Sequence, residues 1–233
     1  MLTIEKTVLP SPEQWEIIIE GMRNPKNSWD RIDSNFKSYD TSYCDHGCSI
    51  CPEFGQKCDC GIGENDHTLM TTLAKGGPVH AKYRRMIPVY VTINAPLYWW
   101  KEFDTYKVGT VANSCSTMHK IHAKEFDWDD FSSERLYVPM SENAFGEIIE
   151  ALNNARYNFL ETKDKKYWYE MIQLLPSSYN QKRTVMLNYE VLVGIYKWRR
   201  NHKLDEWHTF CDWIESLPYS EIIIGDDNDG TES

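Results

Sequence analysis

The sequence has no long apolar run and no surplus of basic residues. No window approaches the roughly 20 apolar residues of a membrane-spanning helix, and residues 1–6 lack the charged and apolar regions of a secretory leader. The 233 residues contain 25 Lys and Arg against 35 Asp and Glu, giving a formal net charge of −10. Non-specific binding to duplex nucleic acid needs a basic face. We therefore expect a cytoplasmic protein that binds neither membranes nor duplex nucleic acid, although a local basic pocket for one nucleotide stays open.

Cysteine occurs seven times, an odd number that does not suit a fully paired disulfide framework. The chain is 41% hydrophobic and 13% aromatic, which supports a real core and excludes disorder as the main state. We predict three parts: a strand, a helix and a Cys-rich insertion in residues 1–64, a folded core in residues 65–220, and an acidic, disordered tail in residues 221–233.

Hydrophobic periodicity predicts a mixture of strands and helices. Weak alternation indicates a strand over residues 2–9, and clearer alternation indicates a half-buried strand over residues 85–93. A helix is predicted to begin at Ser11-Pro12, and a short aromatic helix follows Ala95-Pro96. Further helices are predicted for residues 66–75, 144–160, 165–175, 183–200 and 207–217, whereas residues 24–63 show no convincing period.

Residues 106–117 read Tyr-Lys-Val-Gly-Thr-Val-Ala-Asn-Ser-Cys-Ser-Thr and follow a predicted strand and the aromatic helix. This segment resembles the signature of flavin-dependent thymidylate synthases, in which Arg-His-Arg is followed by seven residues and a serine, with an Asn-Glu pair inside the spacer. Asn113 and Ser116 match the family's Asn and Ser. Tyr106, Lys107 and Val108 stand where Arg-His-Arg is expected.

A second block of residues supports the same resemblance. Leu175-Pro176, Asn188 and Trp198-Arg199 are similar to the family's Leu-Pro, Asn and Leu-Arg landmarks, in the same order and at the same spacing. Upstream, a proline-containing turn ends at His80, as in the family, although the following gap to Ala95-Pro96 is longer here. The resemblance covers roughly residues 66–217 and leaves the Cys-rich region outside.

The resemblance implies an α/β (α+β) fold, with a twisted sheet packed against long helices, and a homotetramer whose active sites form where subunits meet. It implies transfer of a methylene group from methylenetetrahydrofolate to C5 of dUMP, with FAD supplying hydride and NADPH re-reducing the flavin. Carried over by position, the residues implied to be catalytic are Ser116 and Arg199. Those implied to bind the pyrimidine nucleotide are Lys107, Asn113, Ser114, Ser116 and Arg199, and those near the flavin are His80, Tyr106, Lys107 and Asn188.

Several positions depart from the family's pattern. Arginines of the family are replaced by Tyr106, Val108, Met118, Ile172 and Glu190, and its glutamate by Ser114. A charge-assisted hydrogen bond to phosphate contributes roughly 1.5–3 kcal/mol, so the loss of two or three weakens nucleotide binding unless other cations compensate. The cations near enough in sequence to do so are Arg84, Arg85, Lys107, Lys120 and His122.

Two classes of function therefore stay open. The first is a flavin-dependent enzyme that methylates dUMP or a related pyrimidine nucleotide. The second is a catalytically diverged protein that keeps the fold and binds a nucleotide or a protein partner without flavin chemistry. Structural roles are also open, since Asn113 and Ser116 are residue types that cap helices and Arg199 suits a helix C-terminus. Trp99, Trp100 and Phe103 are expected in the core or at a subunit interface.

Five cysteines and His46 lie within 17 residues. Four thiolates at short spacing suit a tetrahedral structural zinc, which can order a segment without its own core. An iron-sulfur cluster, with a redox enzyme built on it, and the absence of any metal are the alternatives. The candidate ligands are Cys44, Cys48, Cys51, Cys58 and Cys60. Outside this cluster, Cys115 is a candidate nucleophile and Cys211 is predicted to be a buried, apolar residue.

Overall fold

The computed structural model describes residues 1–36 and 61–225, and within these ranges it is a mixed helix and sheet structure. The strands are β1 (Thr3–Val8), β2 (Pro88–Pro96), β3 (Val111–Ser114) and β4 (Asn180–Asn188). The α-helices are α1 (Pro12–Arg23), α2 (Glu64–Lys75), α3 (Leu97–Phe103), α4 (Pro139–Thr162), α5 (Lys165–Leu174), α6 (Tyr189–Arg199), α7 (Asp205–Glu215) and α8 (Glu221–Ile224). Short 3₁₀ helices span Asn24–Lys26, Trp29–Arg31, Lys82–Met86 and Trp128–Asp130.

The four strands form one antiparallel sheet in the order β1-β2-β4-β3. Along β2, Val89, Val91 and Ile93 are buried, whereas Tyr90 between them is exposed. This alternation puts one face of the strand in the core and leaves the other more open to solvent. The predicted combination of a sheet with helices is confirmed.

The chain divides into two compact units. The first unit consists of Met1–Thr7, Val91–Lys107 and Val111–Val185, and the second comprises the described parts of Val8–Tyr90, Val108–Thr110 and Met186–Ser233.

The core of the first unit lies along α4 and α5, which pack against each other. On α4 the buried positions Phe145, Ile149 and Leu152 recur at intervals of three or four residues, so they form one helical face. Met171 of α5 joins the same cluster. Trp99, Trp100 and Phe103 of α3 are buried as well, so the expectation that these aromatic residues belong to the core is confirmed.

The second unit is built on α1, α2 and α6–α8. Ser11 caps α1, because its Oγ accepts a hydrogen bond from the Gln14 backbone while the Gln14 side chain accepts one from the Ser11 backbone. The predicted start of this helix is therefore confirmed. Asp66 of α2 is fully buried and pairs with Arg23. Asp66 also accepts hydrogen bonds from the Ser34 hydroxyl and from two backbone N–H groups.

The prediction of one helix over residues 183–200 is wrong. Residues up to Asn188 belong to β4, and α6 starts at Tyr189. Gln181, Val185 and Leu187 are buried at the period of a strand. The apolar residues of β4 and α6 together have the spacing of one continuous helical face. The hydrophobic period changes from that of a strand to that of a helix at Asn188, which caps α6.

Two boundaries also differ from those predicted. The strand expected from residue 85 starts at Pro88, because the preceding residues form the 3₁₀ helix Lys82–Met86. The acidic segment assigned from residue 221 begins with α8, where Ile222 and Ile223 are buried; residues 226–233 lie outside the described residues. No helix in the described ranges combines the length and apolar character needed to cross a bilayer.

Candidate functional site

Within residues 106–117, which carry the motif resemblance, β3 forms an exposed edge strand with a turn on each side. All four residues of β3 are exposed, including Asn113 and Ser114. Before the strand, the Tyr106 backbone N–H donates to the carbonyl of Phe103 at the end of α3, and Lys107 extends into solvent. These polar groups are accessible to a ligand.

Ser116 lies in the turn that follows β3. Its Oγ accepts a hydrogen bond from the Lys120 backbone N–H at 3.2 Å, and the residue is exposed. No α-helix begins here, since the next one in the chain is α4, and Asn113 lies within a strand. The alternative in which both residues merely cap the following helix is therefore wrong.

Behind the turn after β3 lies a network of polar side chains on β4 and α3 that the sequence did not reveal. The buried Gln181 donates from Nε2 to the Cys115 carbonyl at 3.0 Å. Arg183 donates from Nε to Gln181 Oε1 at 2.9 Å and from Nη1 to Asp104 Oδ1 at 2.7 Å. The Trp100 indole N–H donates to the Gln181 carbonyl at 2.8 Å. This network fixes the backbone of the turn that carries Ser116.

In the second unit, the N-terminal end of α6 is shaped by Asn188 and Gly109. The Asn188 Oδ1 accepts a hydrogen bond from the Val191 N–H at 3.1 Å and so caps the helix. Gly109 has a φ of +82°, and a Cβ there would lie 2.9 Å from Val191 Cγ2 and 3.5 Å from Asn188 Nδ2. Only glycine combines this backbone conformation with so close an approach.

The same end of α6 carries a pair of opposite charges, a buried arginine and a half-buried glutamate. Arg84, in the 3₁₀ helix Lys82–Met86, is buried, and its Nη1 lies 3.5 Å from Glu190 Oε2 in the first turn of α6. Beside them, burial raises the pKa of Tyr83 to about 12, and its hydroxyl donates to the Met70 carbonyl. Arg85, the next residue, is exposed.

Arg199 and His80 occupy other parts of the second unit. Arg199 lies in the last turn of α6, where a cation is favourable to the helix dipole, and its guanidinium carbon is 4.7 Å from the centroid of the Trp207 ring. His80 is exposed and follows a turn in which its N–H donates to the Gly77 carbonyl. A Cβ on Gly76 would lie 3.1 Å from the His80 ring, so the imidazole lies over the end of α2.

The predicted ligand-binding residues are thus divided between the two units. Tyr106, Lys107, Asn113, Ser114 and Ser116 belong to the first, and His80, Asn188 and Arg199 to the second. Within the first unit, the structure brings the predicted residues together on β3 and its flanking turns. A strand prediction for residues 180–188 would have identified Gln181 and Arg183, because in a strand both face away from the side on which Lys182 and Thr184 are exposed.

The metal-site residues Cys44, Cys48, Cys51, Cys58 and Cys60 lie outside the described residues. In the described ranges, no group of three or more His, Cys, Asp or Glu side chains is placed to hold a metal ion. Cys115 is exposed on the turn after β3. Cys211 is buried, and its burial raises the pKa of the thiol to about 12, which confirms the prediction of a buried, apolar residue.

The sequence matches no protein-family model, and no curated protein is detectably similar to it in sequence. Its fold, however, resembles solved structures over almost its whole length. Thymidylate synthase X (ThyX) from Helicobacter pylori with FAD and dUMP superposes with a TM-score of 0.59 at 15% identity, covering 97% of this chain and 97% of that chain. A second structure of the H. pylori flavin-dependent enzyme with FAD and dUMP gives 0.58 at 14% identity, covering 97% and 98%.

A third structure with the same fold is a UMP/dUMP methylase, PolB, from Streptomyces cacaoi bound with 5-Br dUMP. It superposes with a TM-score of 0.51 at 10% identity, covering 92% of this chain and 88% of that chain. The fold expected from the motif resemblance is therefore confirmed: the chain has a fold similar to that of ThyX.

Proposed function

We propose that this chain is an enzyme that binds FAD and a pyrimidine nucleotide and methylates the nucleotide, with dUMP as the first candidate substrate. The observation that carries the proposal is the fold likeness, which covers 97% of this chain and 97% of a thymidylate synthase X solved with FAD and dUMP. The matching sequence landmarks, Asn113 and Ser116 in one block and Asn188 and Arg199 in the other, support it independently of the fold.

The residues proposed to bind the nucleotide are Lys107, Asn113, Ser114, Ser116 and Arg199. The exposure of the first four supports this role, because hydrogen-bonding groups on an edge strand and its turns can reach a ligand. Ser116 and Arg199 are proposed to be the catalytic residues, with Ser116 orienting the nucleotide by its hydroxyl and Arg199 holding an anionic group.

The side chains proposed to hold FAD are His80, Tyr106, Lys107 and Asn188. Their chemistry fits the cofactor, since an imidazole, a phenol and an amide suit the polar edges of a flavin ring and Lys107 suits a phosphate. Asn188 uses its Oδ1 to cap α6, while its Nδ2 remains near Gly109 as a donor. FAD when bound would supply hydride; a folate as one-carbon donor, NADPH as reductant and a homotetrameric assembly complete the proposal.

Because the family's arginines are absent, the proposed nucleotide site needs other cations to bind a phosphate. In the first unit, Lys182 lies on β4 beside the turn after β3, 53% exposed, and its Nζ is 2.7 Å from Glu5. An exposed ion pair of this kind contributes little to stability, so Lys182 can exchange its partner for a phosphate at small cost. We expect Lys107 and Lys182 to supply part of the positive charge that the family's arginines would offer to the nucleotide phosphate.

Absorption spectroscopy and calorimetry test the proposal together. Purified protein is titrated with FAD, which should give a saturable change in the flavin bands, and the complex is then titrated with dUMP and UMP. Binding of FAD and one nucleotide, followed by formation of the 5-methylated nucleotide with methylenetetrahydrofolate and NADPH, is the expected result. UMP is included because the third similar structure is a UMP/dUMP methylase. A protein that binds a nucleotide but not FAD would remove the flavin chemistry.

The second candidate function is that of a nucleotide- or partner-binding protein without flavin chemistry. The replacement of the Arg-His-Arg triplet favours it, since Val108 is 93% exposed and offers a ligand no polar group. Binding of a nucleotide by a protein that does not bind FAD would establish this second function.

We also propose a structural zinc held by the Cys-rich segment. The described residues on either side support it. Asn35 and Gly61 form an antiparallel bridge with hydrogen bonds of 3.0 and 2.7 Å, and the Gly63 N–H donates to the Ser34 hydroxyl at 3.0 Å. The two ends of the intervening chain are thus fixed side by side, which lowers the entropic cost of closing it around a metal.

A further inference from the structure

An open apolar groove lies between α1 and the start of β2, within the second unit. It encloses about 350 Å³. Two of its apolar side chains remain open to solvent, since Ile17 is 60% exposed and Met86 is 41% exposed. The residues that line the groove are Glu13, Gln14, Ile17, Ile18, Met86 and Pro88.

Ile17 lies on the solvent side of α1 and is not needed to attach the helix to the core. The residues that attach α1 to the core are Trp15, Ile18, Ile19 and Met22. Single exposed apolar residues are common on protein surfaces. Ile17, however, lines the same groove as Met86, and exposed apolar side chains that adjoin one another are typical of a surface that binds a partner.

Met86 contacts α1 at Gly21. A Cβ on Gly21 would lie 3.0 Å from Met86 Cε and 3.1 Å from Met86 Sδ, so the absence of a side chain leaves room for the thioether. Glycine within a helix is less favourable than alanine, but here it allows this close contact. Methionine is unbranched and flexible, and its side chain can therefore adapt to the surface of a bound partner.

The charge around Ile17 on α1 is negative. Glu13 and Glu20 lie four residues before it and three residues after it, which places them on its side of the helix. Glu16 is three residues from Glu13 and four from Glu20, and like charges at these spacings destabilise a helix. The Ser11 hydroxyl donates to Glu13 Oε2 at 2.7 Å and lowers the pKa of that carboxyl, so Glu13 is ionised at neutral pH.

No exposed cation of α1 balances these carboxylates. The basic residue of the helix, Arg23, is buried and pairs with Asp66. Among the residues that the structure describes, the lining of the groove contains no Lys, Arg or His. Arg85, which precedes Met86, is exposed but does not line the groove. The surface therefore combines apolar side chains with negative charge that invites a cationic partner.

We propose that this groove binds a helical segment of a partner protein in which lysine or arginine flanks the apolar side chains. Apolar side chains on one face of that segment would pack on Ile17 and Met86, as a helix binds in a groove. The flanking cations would meet the glutamates of α1 and relieve their mutual repulsion. An anionic membrane surface would be repelled by the same glutamates. A second copy that binds through the same face would bring two sets of carboxylates together.

Fluorescence anisotropy of a labelled, amphipathic helical peptide of leucine and lysine tests the groove on the full chain. The matched peptide has glutamate in place of every lysine. The wild type is expected to bind the lysine peptide saturably and at least about tenfold more tightly than the glutamate peptide. No saturable binding of the lysine peptide at millimolar concentration, or equal affinities for the two peptides, would overturn the proposal.

The apolar contact is tested by Ile17→Ser, which leaves the charge unchanged and should weaken binding of the lysine peptide at least about tenfold. Val79→Ser is the matched control, because Val79 is 73% exposed in the same unit and does not line the groove. Its effect should stay below about twofold. If Ile17→Ser fails to fold by circular dichroism, Ile17→Thr replaces it. Equal affinities in the Ile17 and Val79 variants would contradict binding in the groove.

The charge is tested by a double variant, Glu13→Gln with Glu20→Gln. It should bind the lysine peptide at least several-fold more weakly than the wild type, with a smaller dependence on salt. Glu147→Gln with Glu150→Gln removes the same charge from exposed positions of α4 and should change the affinity by less than about twofold. Equal losses in the two double variants would mean that the net charge of the chain, rather than α1, attracts the peptide.

Sedimentation velocity distinguishes a partner protein from a second copy of this chain. The assembly state of Ile17→Ser is expected to equal that of the wild type. Self-association that Ile17→Ser abolishes and Val79→Ser preserves would assign the groove to a second copy and overturn the proposal. The groove involves neither FAD nor a nucleotide, so an FAD titration of Ile17→Ser should match that of the wild type. Loss of peptide binding with unchanged FAD binding separates this proposal from the proposed function.

Discussion

The guanidinium of Arg183 lies over the face of the Trp100 ring, with 4.3 Å between its central carbon and the ring centroid. The same guanidinium bonds Gln181 and Asp104, and Gln181 bonds the Cys115 carbonyl. A cation–π contact and a chain of hydrogen bonds thus connect the core of the first unit to the turn after β3. The turn that carries Ser116 is held in place by residues that do not belong to the recognised motif.

Replacing Arg183 should therefore loosen that turn. Arg183 has a side-chain exposure of only 14%, so Arg183→Met is expected to lower the free energy of unfolding by about 1–3 kcal/mol. Lys182→Met is the matched control, because Lys182 is the exposed neighbour on the same strand, and its effect should stay below about 1 kcal/mol. Urea denaturation measures both. Similar small effects would show that the network does not stabilise the turn.

Gly109 and Gly77 provide a comparison at equal φ. Both have a φ of +82°, but a Cβ on Gly109 would lie 2.9 Å from Val191 Cγ2, whereas a Cβ on Gly77 meets nothing within 4 Å. Gly77→Ala should cost only the strain of the left-handed conformation, about 1 kcal/mol. Gly109→Ala should cost about 1–3 kcal/mol more, because the contact is added to the strain.

Thermal or urea unfolding of the two alanine variants gives the difference directly. Equal destabilisation by Gly109→Ala and Gly77→Ala would mean that the segment at Gly109 moves away from α6 without cost, and that its close approach to Asn188 is unimportant for stability.

Much of the fold follows from local patterns in the sequence. The Ser11 cap and the apolar face of α4 are signals within one element, and both are found where the sequence places them. The junction of β4 and α6 was missed because two elements of different period meet at Asn188 without a glycine or proline between them. Propensity could not separate them, since pairing of β4 within the sheet decides its conformation.

The candidate site was predictable only where a motif marks it. Ser116 and Asn188 were found by their order and spacing, and both lie at accessible turns or helix ends. Arg183 and Arg84 were not assigned to specific partners, because their contacts with Asp104 and Glu190 join positions far apart in the chain. Such contacts are tertiary, and no local period or capping rule reports them.

Asp66 should make the second unit sensitive to acid. Burial acts to raise the pKa of this carboxyl, but hydrogen bonds from Ser34 and Arg23 and from two backbone N–H groups outweigh it, so the pKa lies below 3.8. A lowered pKa means that the stabilisation is present above the unfolded-state value near 3.8 and is lost as the pH falls through the folded-state value. The chain should therefore unfold more easily below about pH 4.

The variant Asp66→Asn isolates this effect. At pH 7 it leaves Arg23 buried without its partner and should cost about 3–5 kcal/mol. The difference from wild type should shrink as the pH falls below about 3.8, because the wild type then progressively loses the stabilisation that the lowered pKa of Asp66 provides. Glu20→Gln, at an exposed carboxylate of α1, is the control and should not show this convergence. A difference that stays constant from pH 7 to pH 3 would contradict the assignment.

The zinc proposal predicts about one equivalent of zinc per chain by elemental analysis of the purified protein. Cys48→Ser and Cys51→Ser should each lower the zinc content and the melting temperature, since removal of one thiolate leaves an incomplete tetrahedral site. Cys115→Ser, outside the cluster, should change neither. A metal-free wild type that is stable and soluble would exclude structural zinc, and a broad visible absorbance with bound iron would favour the iron-sulfur alternative.

Arg199 is expected to contribute strongly to the affinity for the nucleotide. Arg199→Ala removes the cation proposed to hold the anionic group of dUMP, and calorimetry should show a loss of affinity of at least about tenfold, equivalent to about 1.4 kcal/mol. Arg200→Ala is the matched control: it removes the same charge one residue later, at an exposed position where the guanidinium carbon lies 5.2 Å from the centroid of the Tyr196 ring. Because Arg199 also lies over Trp207, both variants need a denaturation curve. Equal dUMP affinities in the two folded variants would leave Arg199 with the role of completing the helix dipole and packing against Trp207, and would remove it from the nucleotide site.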